Sequence, residues 1–385
     1  MKNKLICFGI MTMFLFTAIS FVSADDNTES MSFRDVYCLA KEEIFINGGE
    51  GITGISWTDE EPLKIIVYLK SEEYLNKVPK TIEGYETKTI VTGEIKALGL
   101  VKMEKQNNPL KLINSRWQHR EPICGGLAIG TNQYLNFYGT LSVITEPDSQ
   151  VINPENYILS CAHVIAQEKN GKHVTRPYSK VKIYQPAILQ GGLNKIGYLK
   201  DYVEVRYNIK SIINPNKIDA AIAKLYDSQD ADFNSVLSSD DKTTYKVRYS
   251  CVVPAKGSIV RKSGATTGVK SNDVLDQHAC INVSYYQFGI IPVRWAHFED
   301  VILVDQPFLE AGDSGSFVDY PGDDNSFVGI AFAGSPEVGV VCKSSYIISE
   351  LGLNKKARSK TFEINSIFGN LIEQFPLLQQ LLKIK

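Results

Sequence analysis

Past residue 120 the chain is written in short apolar runs, each cut off by turn residues, and this punctuation leaves no room for a core of long helices. The runs fall at 139–145, 157–161, 180–184, 203–209 and 220–225, then at 245–253, 257–261, 280–288, 301–304, 315–319, 326–332 and 338–342. Short stretches rich in Val, Ile, Tyr and Phe between Gly, Pro, Asp and Asn clusters read as β-strands. About six such strands suit one closed barrel. The Asp- and Ser-rich stretch 226–244 reads as the connection between two sets. The expected fold is mainly β, with two six-stranded antiparallel β-barrels.

One turn differs from the rest: Glu310-Ala311-Gly312-Asp313-Ser314-Gly315-Ser316. Its glycines permit main-chain angles that a Cβ forbids, so one hydroxyl is held out of the backbone. A serine nucleophile needs a base, and the amides of Gly312 and Ser314 are placed to cradle an oxyanion. A plain Gly/Asp/Ser loop between strands is the other reading. Among the five histidines, His163 ends the apolar run Tyr157-Ile158-Leu159-Ser160-Cys161-Ala162-His163, a strand turning into a short helix. His119, His173, His278 and His297 have polar or charged neighbours and read as solvated or packing groups. Asp219 heads the small-apolar run Ala220-Ala221-Ile222-Ala223. A carboxylate entering a buried strand is costly unless it is paired, so Asp219 is either the acid that fixes a histidine tautomer or a strand cap.

The order His163, Asp219, Ser314 resembles that of the chymotrypsin/trypsin-like serine peptidases, with Ala162-His163, Asp219-Ala220-Ala221-Ile222 and Gly312-Asp313-Ser314-Gly315 as the matching residues. The longer likeness is to the subgroup that includes plant narrow-leaf-type proteases. It runs through Gly125-Gly126-Leu127-Ala128-Ile129-Gly130, Gly139-Thr140-Leu141, residues 157–166, Gly264-Ala265-Thr266-Thr267-Gly268, residues 312–316 and Gly329-Ile330-Ala331-Phe332-Ala333-Gly334-Ser335, within residues 120–352.

The resemblance implies a chymotrypsin-like fold, with His163 and Asp219 on the first barrel, Ser314 on the second and the site in the cleft between them. It implies a serine endopeptidase for protein or peptide substrates, with Ser314 as nucleophile, His163 as base, Asp219 as its orienting acid and the Gly312 and Ser314 amides as oxyanion hole; the signal-like N terminus described below makes it a secreted one. No metal or cofactor is required. Phe308 would lie at the base of the pocket for the residue preceding the cut bond, and Ala331, Phe332 and Gly334 on its wall. Two other classes stay open. One is a non-proteolytic binding protein on the same scaffold. The other is a serine esterase, whose Gly-x-Ser-x-Gly elbow is absent around Ser314.

Lys2 and Lys4 precede an apolar run at 5–22, and Val22-Ser23-Ala24 fits the small-residue cleavage rule, so 1–24 reads as a signal peptide. An uncleaved anchor is the competing reading. Residues 25–118 read as a small α/β leader domain: a helix over 32–47, strands at 51–58 and 63–69, a short helix at 71–78 and a strand at 86–98. It is a propeptide, an interaction module or a structural brace, the last needing the fewest assumptions. Residues 99–122 read as a linker and 119–352 as the protease domain. In the tail, 353–385, Phe368, Leu371, Ile372 and Phe375 repeat at helical spacing. That helix packs on the body or meets a membrane or partner; few cations on its polar side weaken the membrane reading.

Cys38, Cys124, Cys161, Cys251, Cys280 and Cys342 remain after the signal. An even number in a secreted chain predicts at least one disulfide, and buried thiols are the alternative. The resemblance suggests Cys124 and Cys161 as the pair bracing the histidine loop. A net charge of −2 argues against a nucleic-acid binder.

Overall fold

The computed structural model describes residues 31–97, 114–135, 137–145, 156–168, 171–287 and 291–353. The expected signal peptide, most of the expected linker and the tail beyond 353 lie outside the described residues. Ser32 caps the first helix by accepting from the Asp35 amide. The helix is α over Phe33–Ala40 and becomes a π-helix over Lys41–Ile46. β1 (Ile52–Trp57) and β2 (Ile65–Leu69) form an antiparallel pair. A 3-10 turn at Glu72–Lys77 leads to β3 (Thr81–Ile82), β4 (Tyr85–Val91) and β5 (Lys96–Ala97).

β2 is buried on both faces. Successive side chains on a strand point to opposite sides. Ile65, Val67 and Leu69 meet Val36, Ala40 and Phe45 of the first helix, while Ile66 and Tyr68 enter the main core. β1 pairs with a strand far along the chain through Gly54↔Ile281 and Ile55↔Cys280. The leader is therefore joined to the body of the protein by one continuous sheet.

Next come β6 (Ile123–Gly125), β7 (Ala128–Thr131), β8 (Gly139–Thr140), β9 (Val143–Thr145), β10 (Tyr157–Ser160), β11 (Lys182–Tyr184), β12 (Lys195–Tyr202) and β13 (Ala221–Leu225). Seven of them form a sheet in the order β8-β7-β11-β12-β13-β10-β9. The segment expected as a bare connection contains β14 (Ala231–Leu237), which runs parallel to β6 and antiparallel to β15 (Thr244–Lys246). The remaining strands are β16 (Arg248–Cys251), β17 (Ile259–Gly264), β18 (Gly268–Gln287), β19 (Ile291–Asp305), β20 (Phe317–Tyr320), β21 (Ser326–Gly334) and β22 (Val338–Lys343). The path β17-β20-β21-β22-β19-β18 continues into leader strands β1, β2, β4 and β3, and β17 also pairs with β18. The described strands thus form seven-, twelve- and three-stranded sheets, the largest shared with the leader, and six strands of the largest, β17-β20-β21-β22-β19-β18, close on themselves through the β17–β18 pairing.

Two further expectations change. The end of the expected linker is built into the body. Arg116 is buried and donates from Nε to Asp241 (2.6 Å), from Nη1 to Ser263 (2.8 Å) and to the carbonyls of Gly126 and Gly264, and from Nη2 to the Ser238 carbonyl. The six cysteines form no disulfide: all are free, with Cys124, Cys161, Cys280 and Cys342 buried and Cys38 and Cys251 exposed. The buried thiols are occupied locally. Cys161 donates to the Ala331 carbonyl, and Cys342 accepts from the Asp219 amide.

Candidate active site

β10 and β13 are antiparallel neighbours with Ser160 opposite Ala221, and this register fixes the first half of the site. The chain leaving β10 turns through Cys161 into the helix Ala162–Ile165, which carries His163. Asp219 lies two residues before β13, and so beside that helix. His163 donates its backbone amide to Asp219 Oδ1 (3.0 Å) and pairs Nδ1 with Oδ2 (2.6 Å). Asp219 is fully buried. Burial works to raise its pKa, but the His163 charge and the bonds from His163 and Tyr285 outweigh it and hold the carboxyl below the usual range.

The bond from Tyr285 was not anticipated from sequence. Its hydroxyl donates to Asp219 Oδ2 at 2.7 Å from β18. Burial and the adjacent Asp219 charge push the phenol pKa well up, which keeps it a donor.

The second half of the site is the turn between β19 and β20. Gly312 and Gly315 have φ of 94° and 97°. A Cβ at Gly312 would run into Thr266 and the Tyr138 ring, and one at Gly315 into the Thr140 carbonyl. The turn is clamped from both sides. Thr140 donates its amide to the Ser314 carbonyl (2.7 Å) and its hydroxyl to the Gly312 carbonyl (2.9 Å). Asp313 is buried against Lys262, with Nζ–Oδ2 2.7 Å, and accepts from the amides of Thr266, Thr267 and Glu310 and from the Thr267 hydroxyl. Burial opposes ionisation of Asp313, but Lys262 and these donors bring its pKa below the usual value.

This clamping leaves the amides of Gly312 and Ser314 with no acceptor among the described residues, whereas those of Asp313, Gly315 and Ser316 are used. Ser314 Oγ donates to the Phe332 carbonyl at 3.1 Å, and His163 Nε2 is buried with no hydrogen-bond partner among the described residues. His163 and Asp219 are therefore joined, Ser314 is tied to Phe332 and Thr140, and the serine–imidazole hydrogen bond is not made.

The four residues expected around the substrate pocket divide. Phe308 and Gly334 line a cavity of about 780 Å³ beside the turn, with Glu310 and Ala311. Ala331 and Phe332 have buried side chains, Ala331 in the apolar cluster with Val318 and Val341 and Phe332 against Phe298. Neither lines the cavity. Among the other histidines, His173 stacks on Tyr202, His278 on Trp57, and His297 is buried near Phe45. Cys161, His163 and Asp219 present donor atoms within 4.8 Å of one another. Burial raises the Cys161 thiol well above its ordinary pKa, and the Asp219 oxygens are engaged by His163 and Tyr285, so these groups suit a dyad better than a metal.

No protein-family model and no curated protein matches the sequence. Among solved structures, the fold is similar to a glutamic-acid-specific serine protease described as using a histidine triad in substrate binding. That match has 15% identity and a TM-score of 0.41, and covers 60% of this chain and 98% of that one. It is also similar to Thermobifida fusca protease A (14%, 0.39, covering 60% and 96%) and to Cellulomonas bogoriensis chymotrypsin (13%, 0.39, covering 60% and 96%). Likeness at this level assigns no residue a role, and it does not bear on the narrower resemblance to plant proteases.

Proposed function

We propose that this protein is a secreted serine endopeptidase acting on protein or peptide substrates. The observation that carries the reading is the 2.6 Å contact between His163 Nδ1 and Asp219 Oδ2 in a chain that also holds a buried, glycine-flanked serine. With the Nδ1 proton directed at Asp219, Nε2 offers the lone pair. Ser314 Oγ turns from the Phe332 carbonyl, gives its proton to Nε2 and bonds to the substrate carbonyl carbon. The carbonyl electron pair moves onto oxygen, facing the Gly312 and Ser314 amides. Nε2–H then protonates the departing amine as the C–N bond breaks, leaving an ester on Ser314. Water gives a proton to Nε2 and adds to the ester. The C–Oγ bond breaks, and Oγ recovers the proton.

A fluorophosphonate probe tests this reading: wild-type protein should be labelled at Ser314, and Ser314→Ala should not. One observation favours the non-proteolytic alternative, namely that Ser314 is only 1% exposed with its hydroxyl committed to Phe332. Unlabelled, folded wild-type protein would establish that alternative. Turnover of an ester but not of the matching peptide would establish an esterase. Secretion rests on the signal-like residues 1–24 and predicts a mature N terminus at Asp25, readable by N-terminal sequencing.

A further inference from the structure

The leader reaches the reactive turn through β5. This short strand lies between β21 and β18, with Ala97 opposite Ala333 and Lys96 opposite Gly334 in an antiparallel ladder, and Lys96 opposite Ser284 in a parallel one. β21 is the strand whose Phe332 carbonyl holds the Ser314 hydroxyl, so Ala333 and Gly334 are the next residues along from the nucleophile. An extended peptide binds a protein by adding a strand to such an edge. β5 already occupies it. Because the pairing is antiparallel, the C-terminal end of β5 is the end directed back toward Phe332 and Ser314.

The strand is fastened as well as seated. Ile95 is 1% exposed in the main core. Its carbonyl accepts from the Ser284 amide at 2.9 Å, and the Ser284 hydroxyl donates to Glu94 at 2.9 Å. The cavity beside the turn is lined both by Phe308, Glu310 and Ala311 and by Glu94 and Lys96 of the leader.

We infer that the leader segment 94–97 is an internal competitor for substrate, occupying the sheet edge on which a peptide must lie to reach Ser314. This deepens the protease reading and rests on it. A tethered strand acts at an effective concentration of about millimolar or above, and a groove open in a tenth of molecules raises the apparent KM about tenfold. Once substrate has displaced β5 the chemistry is the same, so the effect falls on KM and not on kcat.

The test uses the full chain, a fluorogenic peptide library and a fluorophosphonate probe. Ala97→Pro removes a backbone donor and is poorly accommodated in a paired strand. It should lower KM about tenfold or more while leaving kcat and probe labelling within about twofold. Unchanged KM in a folded, labelled Ala97→Pro protein overturns the inference alone. A second variant does not depend on tolerance of proline. Antiparallel partners have Cα atoms about 4.5–5.5 Å apart, within disulfide reach, so Ala97→Cys with Ala333→Cys can lock the strand in place. Oxidised, this variant should lose peptide turnover and regain it in reductant; equal turnover in both states overturns the inference. Wild-type protein that ignores the probe removes the protease reading, and the inference with it.

Discussion

Tyr285 and His163 meet on one carboxylate oxygen, Asp219 Oδ2, at 2.7 Å and 2.6 Å. The other oxygen accepts the His163 backbone amide. Asp219 is thus fixed by the helix that follows β10 and by β18, which contributes to the dyad through a residue far from it in sequence. Tyr285→Phe keeps the ring and removes only the donor. A hydrogen bond to a charged group contributes about 1.5–3 kcal/mol, so peptide kcat/KM should fall at least about tenfold with the fold unchanged by circular dichroism. Full activity in Tyr285→Phe would make the bond incidental to the dyad.

Ser314→Ala should abolish turnover, by on the order of 10^6 in kcat as for comparable nucleophile deletions. Its stability should stay within about 1 kcal/mol of wild type, because only the bond to the Phe332 carbonyl is lost. Residual turnover far above this level in rigorously purified protein would move the nucleophile elsewhere.

What could be read from sequence and what could not divide along physical lines. The His163–Asp219 contact was legible because each residue has a local signature, a strand running into a helix and an acid heading an apolar strand; Ser314 stood out by its glycine-flanked turn, and its hydroxyl bonds the Phe332 carbonyl and not His163. Tyr285 has no such signature. It stands in a tyrosine-rich β run, and which hydroxyl turns inward depends on pairing between distant strands. Arg116 looked like linker because four of its five hydrogen bonds go to residues 238, 241, 263 and 264, more than a hundred positions away, and the fifth to Gly126. β5 is too short to stand out from sequence, and its importance lies in the strands it pairs with.

Lys262 and Asp313 form a fully buried pair beneath the reactive turn. Removing one partner of a buried pair costs about 3–5 kcal/mol because the other charge is left uncompensated. Lys262→Met should therefore destabilise the protein by about that amount in urea unfolding. It should also reduce probe labelling per folded molecule, since Asp313 orders the turn that presents the Gly312 and Ser314 amides. A stable, fully labelled Lys262→Met protein would show that the turn holds its shape without the pair.

Asp219 and Asp313 both have depressed pKa values in the fold. Between the folded and unfolded values the unfolded chain binds more protons, so stability rises with pH across that window. Their contribution is fully present above the unfolded carboxylate value of about 4, and is lost as pH falls through the folded values. Urea midpoints should be level from neutral pH to about 5 as far as these two groups are concerned, then fall steeply below about 4. Midpoints insensitive to acid down to about pH 2 would contradict the depressed values.

The cysteines give a prediction that sets chain statistics against geometry. Parity in a secreted chain favours disulfides, yet the six cysteines are free thiols, and three of the buried ones have polar partners of their own. Cys161 faces the Ala331 carbonyl, Cys342 the Asp219 amide and Cys280 the Tyr37 hydroxyl. Burial raises the Cys124 thiol to about 11 and pushes those of Cys161, Cys280 and Cys342 up as well. The thiolate is the reactive form, so near neutral pH these four should resist alkylation while the protein is folded. Native protein without reductant should take up iodoacetamide at Cys38 and Cys251 only, and denatured protein at all six positions read by peptide mass spectrometry. Protection of any cysteine after denaturation, released by reductant, would mean that a disulfide forms and that the local geometry around that thiol differs from the one described.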